Sequence, residues 1–194
     1  MARPKAFDRE RVLEKAMCFF WCHGYEATSI QDLVDHLEIN RQSLYDTFGD
    51  KHALFLASLN RYKEVKVAQL VMQLQHPGAG KAAIQDLFQN VVKELLSNEP
   101  RRGCLMANSS AEVAPHDPES ARLVSAYLGQ MEDAFYHALV SAREQGAFRD
   151  PNRDLYALSR FLTNSLQGLS VTSKAGASYQ ALQDIVTVTL SVLA

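Results

Sequence analysis

The stretch GYEATSIQDLVDHLEINRQSLYDTFGDKHAL, residues 24–54, contains two short segments with helical spacing. Its first half has the apolar spacing i, i+3, i+4, i+7 of a helix that buries one side, at Ile30, Leu33, Val34 and Leu37. After a short break, Asn40 can cap a second short helix over 41–47. Two short helices joined by a tight turn, with a supporting helix before them, are typical of a helix-turn-helix.

The sequence offers two alternative capping boxes for the start of the first of these two helices. Thr28 with Gln31 fits such a box, and Ser29 with Asp32 resembles one. The supporting helix is predicted over 8–23.

The second short helix has one apolar and one polar side. At about 100° per residue, Leu44 and Phe48 point into a small core. The opposite side presents Gln42, Ser43 and Asp46. In a helix-turn-helix this second helix enters the major groove of DNA, so the outward side is predicted to meet base edges.

Each polar side chain of this helix has a chemical interpretation. Gln42 can donate to and accept from adenine, Asp46 can accept from the cytosine amino group, and Ser43 suits either. The flanks of the helix are predicted to contact phosphate through Arg41, Tyr45 and Thr47.

Further phosphate contacts are predicted at two helix N-termini and on the N-terminal arm. Helices that begin near Thr28 and Lys51 would present free N–H groups to phosphate. Arg3 and Lys5 on the arm would add attraction that does not depend on base sequence.

The same stretch resembles the N-terminal signature of TetR-family transcriptional regulators. The resemblance covers about residues 8 to 55. It rests on the pair Gly24-Tyr25, the helix start Ala27-Thr28-Ser29, and the segment with Leu44, Tyr45, Phe48 and Lys51.

This resemblance implies a homodimer that binds a palindromic operator and is released by a small-molecule inducer, as a repressor. It implies a dimer interface over about 152–193 and an inducer pocket among the C-terminal helices. Carried over by position, the DNA contacts fall on Thr28, Arg41, Gln42, Tyr45, Thr47 and Lys51.

Two residues depart from the family pattern. The turn usually holds glycine, where this chain has Glu38, so the backbone at this position is either not left-handed or strained. Glu38 also places a carboxylate close to the second short helix. The position of Asp46 is usually neutral or aromatic, so the target sequence cannot be borrowed from relatives.

Composition limits the class of protein. The net charge of −2 excludes a protein that coats nucleic acid with its whole surface, so a DNA-binding surface must be local. The N-terminus does not look like a signal peptide, and no apolar run is long enough to span a bilayer. Three cysteines without framework spacing argue against a disulfide scaffold, so a cytoplasmic location is expected.

The rest of the chain also has helical spacing. We predict further helices over 51–75, 81–97, 104–113, 117–145, 150–173 and 179–193. The segment IVTVTLSVL in the last of these alternates like a strand, but no other strand is available to pair with it. The predicted fold is therefore all-α, with about nine helices. Residues 1–50 form a helix-turn-helix domain, and 51–194 form a helical ligand-binding and dimerisation domain.

The predicted second domain contains a candidate sensor. Cys104 follows two arginines and begins a helix, and both features favour the thiolate. Its Gly-Cys-Leu context resembles TetR-like regulators that sense electrophiles or oxidants, although a buried, inert cysteine is the alternative. A pocket could be lined by Cys104, Met106, Tyr127, Met131, Phe135 and Phe161, each of which is equally typical of a core.

Other functions are less well supported by the sequence. Cys18 and Cys22 lie one helical turn apart, with His23 next to Cys22, but they lack further metal ligands, so no metal or cofactor is expected. An enzyme could use Cys104 with His116 and Asp117, but these last two are adjacent and poorly placed for a chain of proton transfer. A helical adaptor without DNA binding is the third possibility.

Overall fold

The structure is a computed structural model that describes residues 7–97, 100–148, 150 and 152–193. These residues form α-helices and connecting turns, without a strand. The helices are α1 (Arg9–His23), α2 (Ile30–Leu37), α3 (Arg41–Phe48), α4 (Lys51–Tyr62), α5 (Ala68–Gln75), α6 (Lys81–Ser97), α7 (Leu105–Glu112), α8 (Pro118–Glu144), α9 (Leu155–Lys174) and α10 (Tyr179–Ser191). The predicted all-α class is confirmed.

The helix starts follow the predicted capping chemistry. The hydroxyl of Ser29 accepts from the backbone N–H of Asp32, and the Asp32 carboxylate accepts from the backbone N–H of Ser29. The capping box is therefore the one at Ser29, not the one at Thr28. Asn40 caps α3 as predicted, and Asp50 caps α4.

The predicted helix over 51–75 is continuous but not uniform. Its middle, Lys63–Val67, is a π-helical segment between α4 and α5. Such segments occur often at functional sites. This one borders the cleft described below, which Lys66 and Val67 help to line.

One predicted helix start is wrong. α9 begins at Leu155, where the Asp154 carboxylate accepts from the backbone N–H of Ala157. Asp150 does not cap it, because its carboxylate accepts from the backbone N–H of Asn152 and closes a local turn. Pro151 lies outside the described residues.

The β-branched C-terminal segment is helical, as predicted. α10 buries Leu182, Val186 and Thr189 along one face. Among the described residues, no helix is both long and apolar enough to cross a membrane.

Two packed regions position the functional residues. In the first, α1 to α3 surround buried Phe20, Leu33 and Leu44. In the second, Phe88 of α6 and Phe135 of α8 stack with ring centroids 6.0 Å apart. α4 packs against α1 and α8 and so connects the two regions.

Candidate nucleic-acid interface and regulatory cleft

Helix α3 has the two sides that its sequence predicts. Leu44 is fully buried and Phe48 is buried beside it. The exposed residues of the helix are Arg41, Gln42, Tyr45 and Asp46. Ser43 is half-buried. The helix thus presents a polar surface that is free to meet another molecule.

Hydrogen bonds organise this surface before any partner arrives. The Gln42 side-chain amide donates to the Asp46 carboxylate at 2.8 Å, and Arg41 donates to the side-chain oxygen of Gln31 at 3.2 Å. Asp46 is therefore not an isolated negative charge. It fixes the Gln42 amide and leaves the Gln42 oxygen available as an acceptor.

Three of the predicted DNA contacts point into the protein. Thr28 is only 2% exposed, and its hydroxyl donates to the carbonyl of Gly24 at 2.6 Å. The Lys51 ammonium donates to the carbonyls of Tyr25 and Thr28 at 2.9 and 2.8 Å. The hydroxyl oxygen of Thr47 is buried without a hydrogen-bond partner in the described part of the chain. In this structure Thr28 and Lys51 hold the turn that precedes α2.

Residue type alone could not reveal this inward use. A hydroxyl or ammonium group suits a backbone carbonyl as well as a phosphate. The sequence feature that marks this turn is Gly24, which ends α1. Its φ of 84° turns the chain back, and the carbonyls that follow lie within reach of Lys51. Arg3 and Lys5, the predicted arm contacts, lie outside the described residues.

The turn between α2 and α3 is left-handed at Glu38. Its φ of 57° is the one positive value at a non-glycine position among the described residues. Such a backbone costs roughly 1–2 kcal/mol in a residue with a side chain. The carboxylate bonds to Lys15 at 2.9 Å, and this hydrogen bond lowers the pKa of Glu38. The charge near α3 that the sequence showed is thus paired with a cation of α1.

Cys104 lies in a buried hydrogen-bonded chain. It is the N-cap residue of α7, and the hydroxyl of Tyr62 donates to its sulfur at 3.4 Å. The hydroxyl of Tyr127 is 3.9 Å from the same sulfur and accepts from the side-chain amide of Gln167. Burial, followed by the nearby Cys104, raises the pKa of both tyrosines well above 10.0, so both remain neutral donors.

The two arginines before Cys104 contact other groups. Arg102 lies over the ring of Trp21, with 4.4 Å from its guanidinium carbon to the ring centroid. Arg101 donates to the carbonyl of Ala177. Within the described part of the chain, the side-chain groups that meet the Cys104 sulfur are the hydroxyls of two tyrosines, on α4 and α8.

Cys104 opens onto a cleft between helices. Its lining includes Trp21, Tyr62, Lys66, Val91, Leu95, Tyr127 and Leu166. Lys66 and Glu94 form an ion pair of 2.6 Å at its partly exposed rim.

Four of the six predicted pocket residues lie elsewhere. Met131 and Phe135 are fully buried core residues. Met106 borders a different groove, between α7, α8 and α9. Phe161 is 42% exposed on α9, because this face of the helix points away from the core. Cys104 and Tyr127 alone among the six line the cleft beside Tyr62.

Comparison with known proteins identifies the family. Residues 12–58 match the model for bacterial regulatory proteins of the tetR family. The uncharacterized HTH-type transcriptional regulator YezE of Bacillus subtilis (strain 168) is 46% identical over 193 residues, covering 100% of both chains. This chain is a TetR-family transcriptional regulator. The HTH-type transcriptional repressor ComR of Escherichia coli (strain K12) is 33% identical over 97% of this chain and 90% of ComR.

A solved structure extends the similarity to a DNA complex. A cysteine-substituted variant of the TetR-family regulator CifR, complexed with 26-base-pair operator DNA, is 29% identical over 98% of each chain. Its TM-score against this regulator is 0.84. TetR-family regulators act as dimers on operator DNA and respond to small-molecule inducers.

In this TetR-family regulator, a histidine links α4 to α8. His52 of α4 lies 3.0 Å from the carboxylate of Asp117, which caps α8. The hydrogen bond with Asp117 raises the pKa of His52, and Glu119, 3.8 Å away, acts in the same direction. These three residues are also the one group near enough to share a metal ion within the described residues.

The alternative sites predicted from sequence do not assemble in the described structure. The Nδ1 of His23 meets the carbonyl of Phe19 at 3.0 Å, and its ring stacks on that of Phe19. Asp117 bonds to His52 and to the backbone of Ser120, whereas Cys104 meets Tyr62 and Tyr127. The nucleophile and orienting acid of the enzyme hypothesis thus have different partners.

Proposed function

We propose that this regulator represses transcription by inserting α3 into the major groove of a palindromic operator. The observation that supports this most is the exposed polar surface of Arg41, Gln42, Tyr45 and Asp46, backed by fully buried Leu44. A small helix with one buried side can be held rigidly while its other side meets DNA. The helix-turn-helix domain ends at about residue 50, and residues 51–194 form the ligand-binding and dimerisation domain.

The contacts on this surface divide by chemistry. Arg41 and Tyr45 bind phosphate on the flank of the helix, which fixes its register on the duplex. Gln42, Ser43 and Asp46 face the bases. Because Asp46 already accepts a hydrogen bond from Gln42, the two side chains contact the bases as a pair. The Gln42 oxygen and the second Asp46 oxygen can accept from donors such as the amino groups of adenine and cytosine. Thr28 and Lys51 act indirectly, by holding the turn before α2.

The dimer forms through α9 and α10, within 152–193. Most of the large apolar side chains that the described surface exposes are on these helices: Tyr156, Phe161, Val171, Tyr179 and Val188. Exposed apolar patches of this kind mark interaction surfaces. Two copies joined there would present their α3 helices about one DNA turn, roughly 34 Å, apart.

The cleft at Cys104 is the proposed inducer site. Its apolar walls suit a small molecule with an apolar body, and the hydroxyls of Tyr62 and Tyr127 can donate to an oxygen of that molecule. Cys104 offers a nucleophilic sulfur at the same place, so an electrophile or oxidant could act by modifying it. Occupancy or modification would favour a dimer with a different spacing of the α3 helices and so weaken operator binding.

Two experiments test these proposals. Selection from random duplex DNA should enrich a palindrome, and recovery of sequences without dyad symmetry would contradict operator reading by a dimer. Mass spectrometry after mild peroxide or quinone treatment should find the adduct on Cys104. If Cys104 stays unmodified and operator binding is unchanged, the sensing role is wrong.

A further inference from the structure

Glu112, the last residue of α7, reaches from the regulatory part of the chain to the turn between α1 and α2. Its carboxylate accepts from the backbone N–H of Glu26 at 2.9 Å, across 86 residues of sequence. The partner is a main-chain group, so the contact reports the position of the backbone of the turn and does not depend on the side chain at position 26.

The carboxylate lies directly against the turn. A Cβ atom built on Gly24 would be 2.7 Å from the nearer oxygen of Glu112, which is closer than such atoms approach. Gly24 also has a φ of 84°, which favours glycine. The acceptor end of the Glu112 side chain therefore occupies the space that a side chain at position 24 would otherwise fill.

The turn is held from its other side by a cation. The Lys51 ammonium donates to the carbonyls of Tyr25 and Thr28 and lies 4.1 Å from the centroid of the Tyr25 ring. The turn thus lies between the Glu112 carboxylate, which accepts from one of its N–H groups, and the Lys51 ammonium, which donates to two of its carbonyls. Lys51 begins α4, whereas Glu112 ends α7, the helix that Cys104 caps at its other end.

We infer that Glu112 is a positioning residue that sets the orientation of the helix-turn-helix on the regulatory helices. The turn leads directly into α2, and α2 packs against α3, so displacement of the turn displaces the reading surface. A hydrogen bond to a charged acceptor is among the stronger hydrogen bonds in proteins, and removal of Glu112 leaves this N–H without its acceptor.

Amide hydrogen exchange on the protein without DNA tests the contact itself. In Glu112→Ala, the Glu26 amide should exchange at least about tenfold faster, the range expected when a charged hydrogen-bond partner is lost. Glu112→Gln keeps an acceptor oxygen and should restore most of the protection. The control is Glu144→Ala, which removes an exposed glutamate at the end of α8 and should leave this amide unchanged.

Operator affinity tests the positioning role. On the operator selected by the wild type, Glu112→Ala should bind about tenfold more weakly, Glu112→Gln should bind within about threefold of the wild type, and Glu144→Ala should bind normally. The melting temperature of each variant is measured alongside. If Glu112→Ala does not fold, the exchange rate of the Glu26 amide and the operator affinity of Glu112→Gln test the inference instead. Both are then expected to lie between the wild-type value and the value for complete loss of the contact.

Two results would overturn the inference. Unchanged exchange at Glu26 in Glu112→Ala would show that the contact does not hold the turn. Faster exchange with wild-type operator affinity would show that the contact does not position the reading surface. The exchange readout involves neither DNA nor Cys104 modification, so its failure is distinct from a failure of the proposed operator reading or sensing.

Discussion

The outward face of α3 and the cleft at Cys104 both contain hydrogen-bonding side chains but arrange them in opposite ways. On α3, amide, carboxylate, guanidinium and phenol groups come from one helix and face outward, where Gln42 and Asp46 form an exposed pair. At Cys104, hydroxyl and thiol groups come from α4, α8 and the start of α7 and are buried together. Local sequence spacing alone produces the first arrangement, whereas the second requires the tertiary fold.

The largest expected effect separates the buried from the exposed side of α3. Leu44→Ala should lower the free energy of unfolding by about 2–5 kcal/mol, because Leu44 is fully buried and a cavity would remain. Gln42→Ala, on the exposed side, should stay within about 0.5 kcal/mol of the wild type. Denaturant titration measures both, and equal losses would mean that α3 does not have two distinct sides.

The next effect concerns the exposed side and operator affinity. Arg41→Ala or Tyr45→Ala should weaken operator binding by about 1–3 kcal/mol, or roughly 5- to 150-fold, since each removes a contact to the duplex. Dimerisation and unfolding should not change. Arg122→Ala, an exposed arginine of α8, is the matched control in an anisotropy titration. Normal binding by both α3 variants would exclude this helix as the reader.

A smaller effect is expected within the cleft. Tyr62→Phe removes the hydroxyl that donates to the Cys104 sulfur, so a thiolate there loses a hydrogen bond of about 1 kcal/mol. Alkylation of Cys104 by iodoacetamide should slow about fivefold at neutral pH. Tyr179→Phe, an exposed tyrosine of α10, should react at the wild-type rate. Faster alkylation of Tyr62→Phe would instead assign the hydroxyl a shielding role.

The smallest effect concerns the link between the two regions. Folding raises the pKa of His52 above 6.5, because its hydrogen bond with Asp117 favours the protonated ring. The contribution of protonated His52 to stability is therefore complete below pH 6.5 and is lost as the pH rises through the raised pKa. The pKa of Asp117 is lowered, so its own contribution is lost only in strong acid. The difference in unfolding free energy between wild type and His52→Gln should therefore be largest near pH 5.5. It should shrink toward pH 8.5 and amount to about 1 kcal/mol at most, since the pair is partly exposed.

Local patterns predicted the parts of the molecule that depend on neighbouring residues. The capping residue Asn40 and the two sides of α3 follow from short-range spacing, and the structure has them where the sequence indicates. The sequence does not determine the start of α9, because Asp150 and Asp154 are equally good caps by residue type. Only the packing of the helix decides between them.

The proposed inducer site is predictable from the sequence only where local chemistry marks it. Cys104 was found because it begins a helix, but Tyr62 and the inward role of Lys51 depend on contacts between distant segments. Phe161 was misplaced because an aromatic residue at helical spacing looks the same whether it faces the core or a partner. Glu112 gave no signal in the sequence, since an exposed-looking glutamate at a helix end is ordinary.

The most direct test compares operator affinity of the wild type and Cys104→Ser before and after treatment with one equivalent of a quinone. If the cleft controls the reading surface, treated wild type should bind at least about tenfold more weakly, a coupling of about 1.4 kcal/mol, while Cys104→Ser should not respond. Equal responses of the two proteins, or an unchanged wild type that carries the adduct on Cys104, would contradict control of α3 from this cleft.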